Sequence, residues 1–311
     1  MNTNTHCAVA GGLPNEKACR PLDDWRRAVL ARLEQRLDAQ LPPAHTVPSR
    51  LHEAMRHALL NPGKRLRPLL CQASGLVVGA DPQALDVVSA ALEMVHVSSL
   101  VHDDLPAMDD DPLRHGQPTV HVRFDEATAI LTGTALLTQA FLTLQHAPLP
   151  SARRLRLVAE LAQATGSLGM CGGQMLDLQP PARPMDLDTL ERLQQLKTGA
   201  LIRAAVRMGA LCGRPLRAEV EALERYATAI GLGLQVVDDV LDVTQDSATL
   251  GKTAGKDVRD ARSTYVSLIG LAASQALARQ LKQQAHAALA RFDSRADCLR
   301  ALADQVIDRQ R

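Results

Sequence analysis

The sequence predicts an all-α protein, a single-domain helical bundle of ten or more helices, and three observations predict it. Apolar residues recur at spacings of three and four along most of the chain. No stretch shows sustained period-two alternation of Val, Ile and aromatics, and Asn-Gly and Asp-Gly hairpin turns are missing. No linker rich in Gly, Ser or Pro divides the 311 residues, and a chain of this length buries a sizeable core.

The elements follow in order. Residues 1–20, MNTNTHCAVAGGLPNEKACR, lack a basic segment followed by a sustained apolar one, so they read as a disordered tail and not as a signal peptide. The domain is expected over 21–311. Leu22 to Leu41 places Trp25, Val29, Leu30, Leu33 and Leu37 on one helical face, and Pro42-Pro43 ends the helix. Asp81-Pro82 reads as an N-cap with proline at the first helical position, opening a run through Leu85, Val88, Leu92 and Val95 toward His102. Residues 127–152 carry no Asp, Glu, Lys or Arg, yet Thr128, Thr132, Thr134, Thr138, Thr143 and His146 make them too polar for a membrane span. A buried helix of the bundle is expected there instead. Pro150-Ser151 opens another helix, Asp188 caps one running to Leu211, and Pro215 precedes one reaching Leu241. Ser263 onward and Ala296 to Asp308 complete the set, and the short loops imply antiparallel neighbours.

Composition narrows the function. With 35 Lys+Arg against 34 Asp+Glu, the chain lacks the basic excess that binding nucleic acid requires. Aromatics at 2% exclude base stacking and leave an aliphatic core. Six cysteines (Cys7, Cys19, Cys71, Cys171, Cys212, Cys298) form no C-x-x-C pair and no framework spacing, which fits a reduced cytoplasm.

Two acidic clusters carry the chemistry: HDDLPAMDDD, with Asp103, Asp104 and Asp109, and DDVLD, with Asp238, Asp239 and Asp242. Both close long apolar helical runs, where the helix dipole disfavours carboxylates, so a cation is needed. Asp238 and Asp242 are four apart and share a helix face. Pro106 interrupts helical geometry, which lets Asp109 fold back toward Asp103. Oxygen-only ligands favour Mg²⁺, which keeps waters and bridges to phosphates. Cations stand beside chain breakers in PGKRLRP, LRHG, KTG and GKTAGKD. Arg offers phosphate a bidentate fork and Lys a point charge. The combination points to a polyphosphorylated ligand.

The ordered blocks GKRLRP, EMVHVSSLVHDDLPAMDDDPLRHGQPT, FDEATAIL, GGQMLDL, KTGALIRAA and GLQVVDDVLDVTQDSATLGKTAGKD resemble the trans-prenyl (polyprenyl) diphosphate synthases, in particular the bacterial farnesyl and geranylgeranyl diphosphate synthases. The resemblance spans Leu22 to the C-terminus. It implies an isoprenoid synthase bundle around a central active-site cavity, a homodimer, and Mg²⁺-dependent condensation of isopentenyl diphosphate with an allylic diphosphate. It implies Asp103, Asp109 and Asp238 as direct metal ligands, joined by Asp242, with Asp104 and Asp239 in support. Three Mg²⁺ ions would bind with the allylic diphosphate. Arg114, Lys197, Thr198, Gln235 and Lys252 would hold that diphosphate, with Lys197 and Lys252 also counted as catalytic. Lys64, Arg67, His96 and the residue at His115 would hold isopentenyl diphosphate. Loss of diphosphate would leave an allylic cation, shielded from water by aliphatic walls.

Four positions depart from the family pattern: His115 for Arg, Pro62 for Gly, Thr134 for Asp and Leu234 for Phe. His115 predicts weaker isopentenyl binding that tightens as pH falls. Ser98 and Ser99 stand five and four residues before Asp103, where the farnesyl enzymes commonly carry an aromatic at the fifth, so the expected product is C20, geranylgeranyl diphosphate. The alternative is a C15 farnesyl diphosphate synthase with the cavity closed by Met94, Met108 or a neighbouring helix. Three other readings are weaker. A class I terpene synthase needs no isopentenyl site and typically carries a different second metal motif, so GKRLRP and DDVLD both speak against it. An HD-type phosphohydrolase built on His96, His102 and Asp103 leaves Asp238 to Asp257 unexplained. A catalytically silent regulatory subunit has no reason to keep both aspartate clusters.

Overall fold

The computed structural model describes residues 22–178, 185–245 and 263–309, and helices dominate it. In chain order these are α1 Leu22–Gln40, α2 Ser49–Leu59, α3 Leu66–Val77, α4 Pro82–Asp103, α5 Val120–Arg123, α6 Glu126–Leu144, α7 Ser151–Thr165, α8 Met170–Leu178 and α9 Leu187–Gln194. A π-helical turn, Gln195–Gly199, runs directly into α10 Ala200–Cys212. Then follow α11 Arg217–Thr244, α12 Tyr265–Ile269, α13 Leu271–Ala288, a 3₁₀ turn Ser294–Ala296 and α14 Asp297–Ile307. The expected tail, residues 1–20, lies outside the described residues.

Helix α4 is the axis of the bundle. Asp81 caps it, accepting a 2.9 Å bond from the Gln83 amide with Pro82 at the first position, as the sequence predicts. Leu85, Val88, Leu92, Met94 and Val95 are buried, and the helix packs against α1, α2, α3, α6 and α10. Burial on every side explains its hydropathy: α4 and α6 are both long and apolar enough to cross a membrane, yet α4 is a core helix. Helix α6 is different, since Ile130, Leu131 and Leu142 remain exposed. One cluster of buried apolar residues runs from Val29 to Ile307.

Several boundaries differ from expectation. The cap before α9 is Asp186, which accepts from the Thr189 amide at 2.8 Å, and Asp188 sits in the first turn. Both are aspartates, and the sequence alone does not rank them. The helix from Ser263 breaks into α12 and α13 at Gly270, whose φ of 81° suits glycine. Sequence reading also misses a hairpin. Leu113–Arg114 (β1) pairs antiparallel with Gln117–Pro118 (β2) across His115-Gly116, whose φ values of 51° and 75° fit a two-residue primed turn. Histidine replaces the usual Asn or Asp there, so the signal was hidden.

Candidate active site

The first acidic cluster forms where α4 runs out. Pro106 stops the helix, and the chain curls so that the Asp109 amide donates to the Asp103 carbonyl at 2.8 Å and the Asp111 amide to the Asp104 carbonyl at 3.2 Å. Asp110 takes a left-handed φ of 49° to make this bend. The fold-back of Asp109 toward Asp103 is thus a backbone property. Burial lifts the Asp103 carboxyl to about 6; Lys197 pulls it down and the neighbouring Asp109 adds to the rise.

Asp104 serves a different purpose. It is buried, and its Oδ1 accepts from both Nε (3.1 Å) and Nη2 of Arg114. Arg114 also reaches Asp111 at 3.3 Å. Burial raises the Asp104 carboxyl even though Arg114 opposes it. The hairpin is fastened further by Asn61 Nδ2, which donates to the Arg114 carbonyl at 3.2 Å, and by His57 Nε2 on the Pro118 carbonyl at 2.8 Å. This holds Arg114 and His115 over the cavity.

The basic side comes from the loop before α3 and from α4. Arg65 takes a left-handed φ of 48° at the N-cap of α3 and turns inward. There it pairs with Glu93 at 2.8 Å and Glu34 at 3.0 Å. Arg67 is half-buried and makes no hydrogen bond or ion pair among the described residues, and its Nε is buried without a partner. Burial pushes its guanidinium down to about 10, with Glu93 opposing. His96 is held well below the usual histidine range by burial and then by Arg67, Arg114 and His115. His115 is lowered too, by burial and then by Arg114, Arg65 and Lys64. Lys64, Arg67, His96 and His115 line one cavity together with Thr198, Gln235 and Asp238.

The second cluster stands near the C-terminal end of α11. Asp238 lines the cavity, and Asp242, one turn on, is buried with Oδ2 lacking a partner. Asp239 points elsewhere: its Oδ1 accepts from Gln235 at 2.9 Å and its Oδ2 from the Tyr265 amide at 2.8 Å. It fastens the start of α12. Lys197 lies in the π turn, where Nζ donates to Asp177 of α8 at 2.6 Å. A side chain at Gly173 would stand 2.1 Å from the Lys197 nitrogen, so glycine lets α8 approach the π turn. Lys252 lies outside the described residues.

Ser98 and Ser99 do not line this cavity. Ser98 is buried against α6, donating to the Gly133 carbonyl at 2.8 Å, and Ser99 bonds the His96 carbonyl. Sequence reading missed Asn61, His57, Asp177 and Arg309, and it counted Arg65 among the phosphate-binding cations of PGKRLRP, whereas here Arg65 is paired with Glu93 and Glu34. The KRLR run signals Arg65 and the GGQMLDL block contains Asp177, whereas a lone arginine after the last helix carries no signal.

Comparison with known proteins agrees with this geometry. Residues 48–303 match the polyprenyl synthetase family. The farnesyl diphosphate synthase of Escherichia coli K12 is 48% identical over 266 residues, covering 83% of this chain and 89% of its own. Geranylgeranyl pyrophosphate synthase 7 of Arabidopsis thaliana, chloroplastic, is 45% identical over 268 residues, covering 85% of this chain and 77% of its own. The crystal structure of the Helicobacter pylori geranyltransferase complexed with magnesium and isoprenyl diphosphate superposes with a TM-score of 0.83 at 31% identity, covering 94% of this chain and 100% of that one. With aspartate pairs at the ends of two core helices, a basic cavity between them and matches across most of its length, the chain belongs to the polyprenyl synthetase family.

Proposed function

We propose that this chain, as a single domain over 21–311, is a Mg²⁺-dependent short-chain trans-prenyl diphosphate synthase that joins isopentenyl diphosphate to an allylic diphosphate and releases the C15 product, farnesyl diphosphate. The observation that carries the reading is Arg67. A half-buried guanidinium whose Nε is buried without a hydrogen bond, and which has no ion pair among the described residues, is costly. An isopentenyl diphosphate would relieve that cost, with Lys64, His96 and His115 beside it.

The aspartates fit a hard divalent cation. Their donors are all oxygen, Asp242 Oδ2 is buried without a partner, and burial beside Asp109 disfavours the Asp103 charge. Asp103, Asp109, Asp238 and Asp242 would hold three Mg²⁺ ions. When bound, these ions neutralise negative charge on the departing diphosphate. The other contributions come from side chains. Arg114, Lys197, Thr198 and Gln235 grip the allylic diphosphate, and Lys252 is assigned to the same role. Val97, Leu100 and Val101 give the cavity an aliphatic wall that keeps water from the allylic cation. The isopentenyl double bond attacks that cation, and the released diphosphate takes the proton.

Product length turns from the C20 expectation toward C15. Support comes from the farnesyl diphosphate synthases among the bacterial relatives and from Ser98, whose hydroxyl is engaged with Gly133 and not with the cavity. Met94, one turn before Ser98, is fully buried with Thr143 of α6 against its sulfur at 3.6 Å, so no open space extends past that level of α4 on this side. The C20 reading keeps one favourable observation, the small size of Ser98 and Ser99. Purified protein with Mg²⁺, isopentenyl diphosphate and each of the C5, C10 and C15 starters, with products sized by mass spectrometry, tests both. C15 as end product is expected, C20 would restore the serine argument, and no product from any starter would sink the synthase reading. Ser98→Tyr should leave a C15 product unchanged but shorten a C20 one.

A homodimer in a cytoplasmic setting completes the proposal. The exposed apolar residues Ile130, Leu131 and Leu142 on α6 suit an interface with a second copy. Sedimentation at micromolar concentration measures the state.

A further inference from the structure

The last described residue, Arg309, reaches back into the cavity. Its Nη2 lies 2.9 Å from Asp238 Oδ1 and also donates to the Leu234 carbonyl at 2.8 Å. The side chain is 12% exposed, and its Nε is buried without a partner. Asp238 is the first carboxylate of the second cluster, so this guanidinium and a divalent cation seek the same oxygen. One ion pair satisfies Asp238 with a protein cation; the other requires that pair to open.

The reach of Arg309 is set from outside the cavity. Lys282 of α13 bridges Asp304, at 3.0 Å, and Asp308, and His286 Nε2 sits 2.8 Å from Asp304 Oδ1. The Asp308 amide closes the final turn on the Asp304 carbonyl at 2.8 Å. These contacts clamp the end of α14 to α13 one residue before Arg309.

We propose that Arg309 is the resident counter-cation of the second aspartate cluster, that it competes with the divalent metal for Asp238, and that the Lys282–Asp308 clamp sets the strength of that competition. The inference rests on the metal-dependent reading above. It makes Arg309 a positioning residue for Asp238, and it couples metal loading to release of the C-terminal turn.

The experiment is a Mn²⁺ titration of the full chain in the presence of inorganic pyrophosphate, read by the electron paramagnetic resonance of free Mn²⁺. It needs no turnover, so failure to make a prenyl product and failure of this inference are separate results. Arg309→Gln should bind Mn²⁺ about three- to tenfold more tightly than wild type, and Arg309→Lys should stay close to wild type. Asp308→Asn is the discriminating variant. It removes a negative charge, so long-range electrostatics alone predicts weaker binding, whereas loosening the clamp predicts tighter binding. Hydrogen exchange over residues 297–309 in wild type should rise on adding Mn²⁺ with pyrophosphate. An unchanged or weaker Mn²⁺ affinity in Arg309→Gln, weaker binding in Asp308→Asn, exchange that stays flat or falls, or a wild type that binds no Mn²⁺ would each overturn the proposal.

Discussion

Asp104 Oδ1 receives two bonds from the Arg114 guanidinium, so the second aspartate of the first pair is committed to the hairpin, while Asp103 beside it faces Lys197 and Asp109. Neighbours in sequence thus have opposite duties. Asp104→Asn is expected to lower stability by about 1.5–3 kcal/mol, because a buried charged acceptor is lost. It should also raise the KM for the allylic diphosphate. Urea unfolding and steady-state kinetics measure the two effects.

Asp103→Asn should behave in the opposite way without metal. Its folded pKa of about 6 lies above the ordinary 3.8, so the charged carboxylate is disfavoured in the fold. Neutralisation should stabilise the metal-free chain at pH 7.5 by about 1 kcal/mol and cut activity at least about a hundredfold. A lower melting temperature in EDTA for this variant would contradict the burial argument.

A pH dependence follows from the same group. Between pH 3.8 and about 6 the folded chain holds a proton on Asp103 that the unfolded chain has lost. This group's contribution to stability therefore falls as pH rises through that window. Metal binding shows the reverse trend, since the cation requires the carboxylate. Mn²⁺ affinity should weaken as pH drops below about 6, and Asp103→Asn should flatten that profile.

His115 occupies a left-handed turn position with its imidazole held below the usual range. It is neutral at pH 7, so the KM for isopentenyl diphosphate should decrease only below the normal histidine pKa. His115→Arg should lower that KM about three- to tenfold at pH 7.5 and remove the pH response. A Michaelis constant that is flat in wild type and unmoved by the arginine would remove His115 from the site.

Gly173→Ala tests the π turn. The added carbon would fall 2.1 Å from the Lys197 nitrogen, and backbone atoms yield little. A loss of about 1–3 kcal/mol is expected, with kcat reduced as Lys197 shifts from Asp177.

The sequence revealed those parts of the site that local rules determine. Pro106 announced the fold-back of Asp109, and the Asp81-Pro82 cap placed α4 so that Asp103 ends it. The spacing of Asp238 and Asp242 put both on one face of α11. What escaped depends on contacts across the bundle. Asp239 is expected in a supporting role, and one contact that places it, the Tyr265 amide 26 residues away, cannot be read from DDVLD. The hairpin escaped because a histidine occupies its left-handed position. The π turn has no compositional mark, since its register is imposed by the approach of α8 at Gly173. Arg309 is far in sequence from everything it touches.

The hairpin at 113–118 meets the rest of the chain through polar links: His57 and Asn61 on its carbonyls, Asp104 on its arginine. Leu113 is exposed and contributes nothing to the buried core. The segment is consequently a cassette. Under the proposed function, a change at His115 would therefore tune the contact with isopentenyl diphosphate without repacking any helix, as long as Arg114 is kept for Asp104.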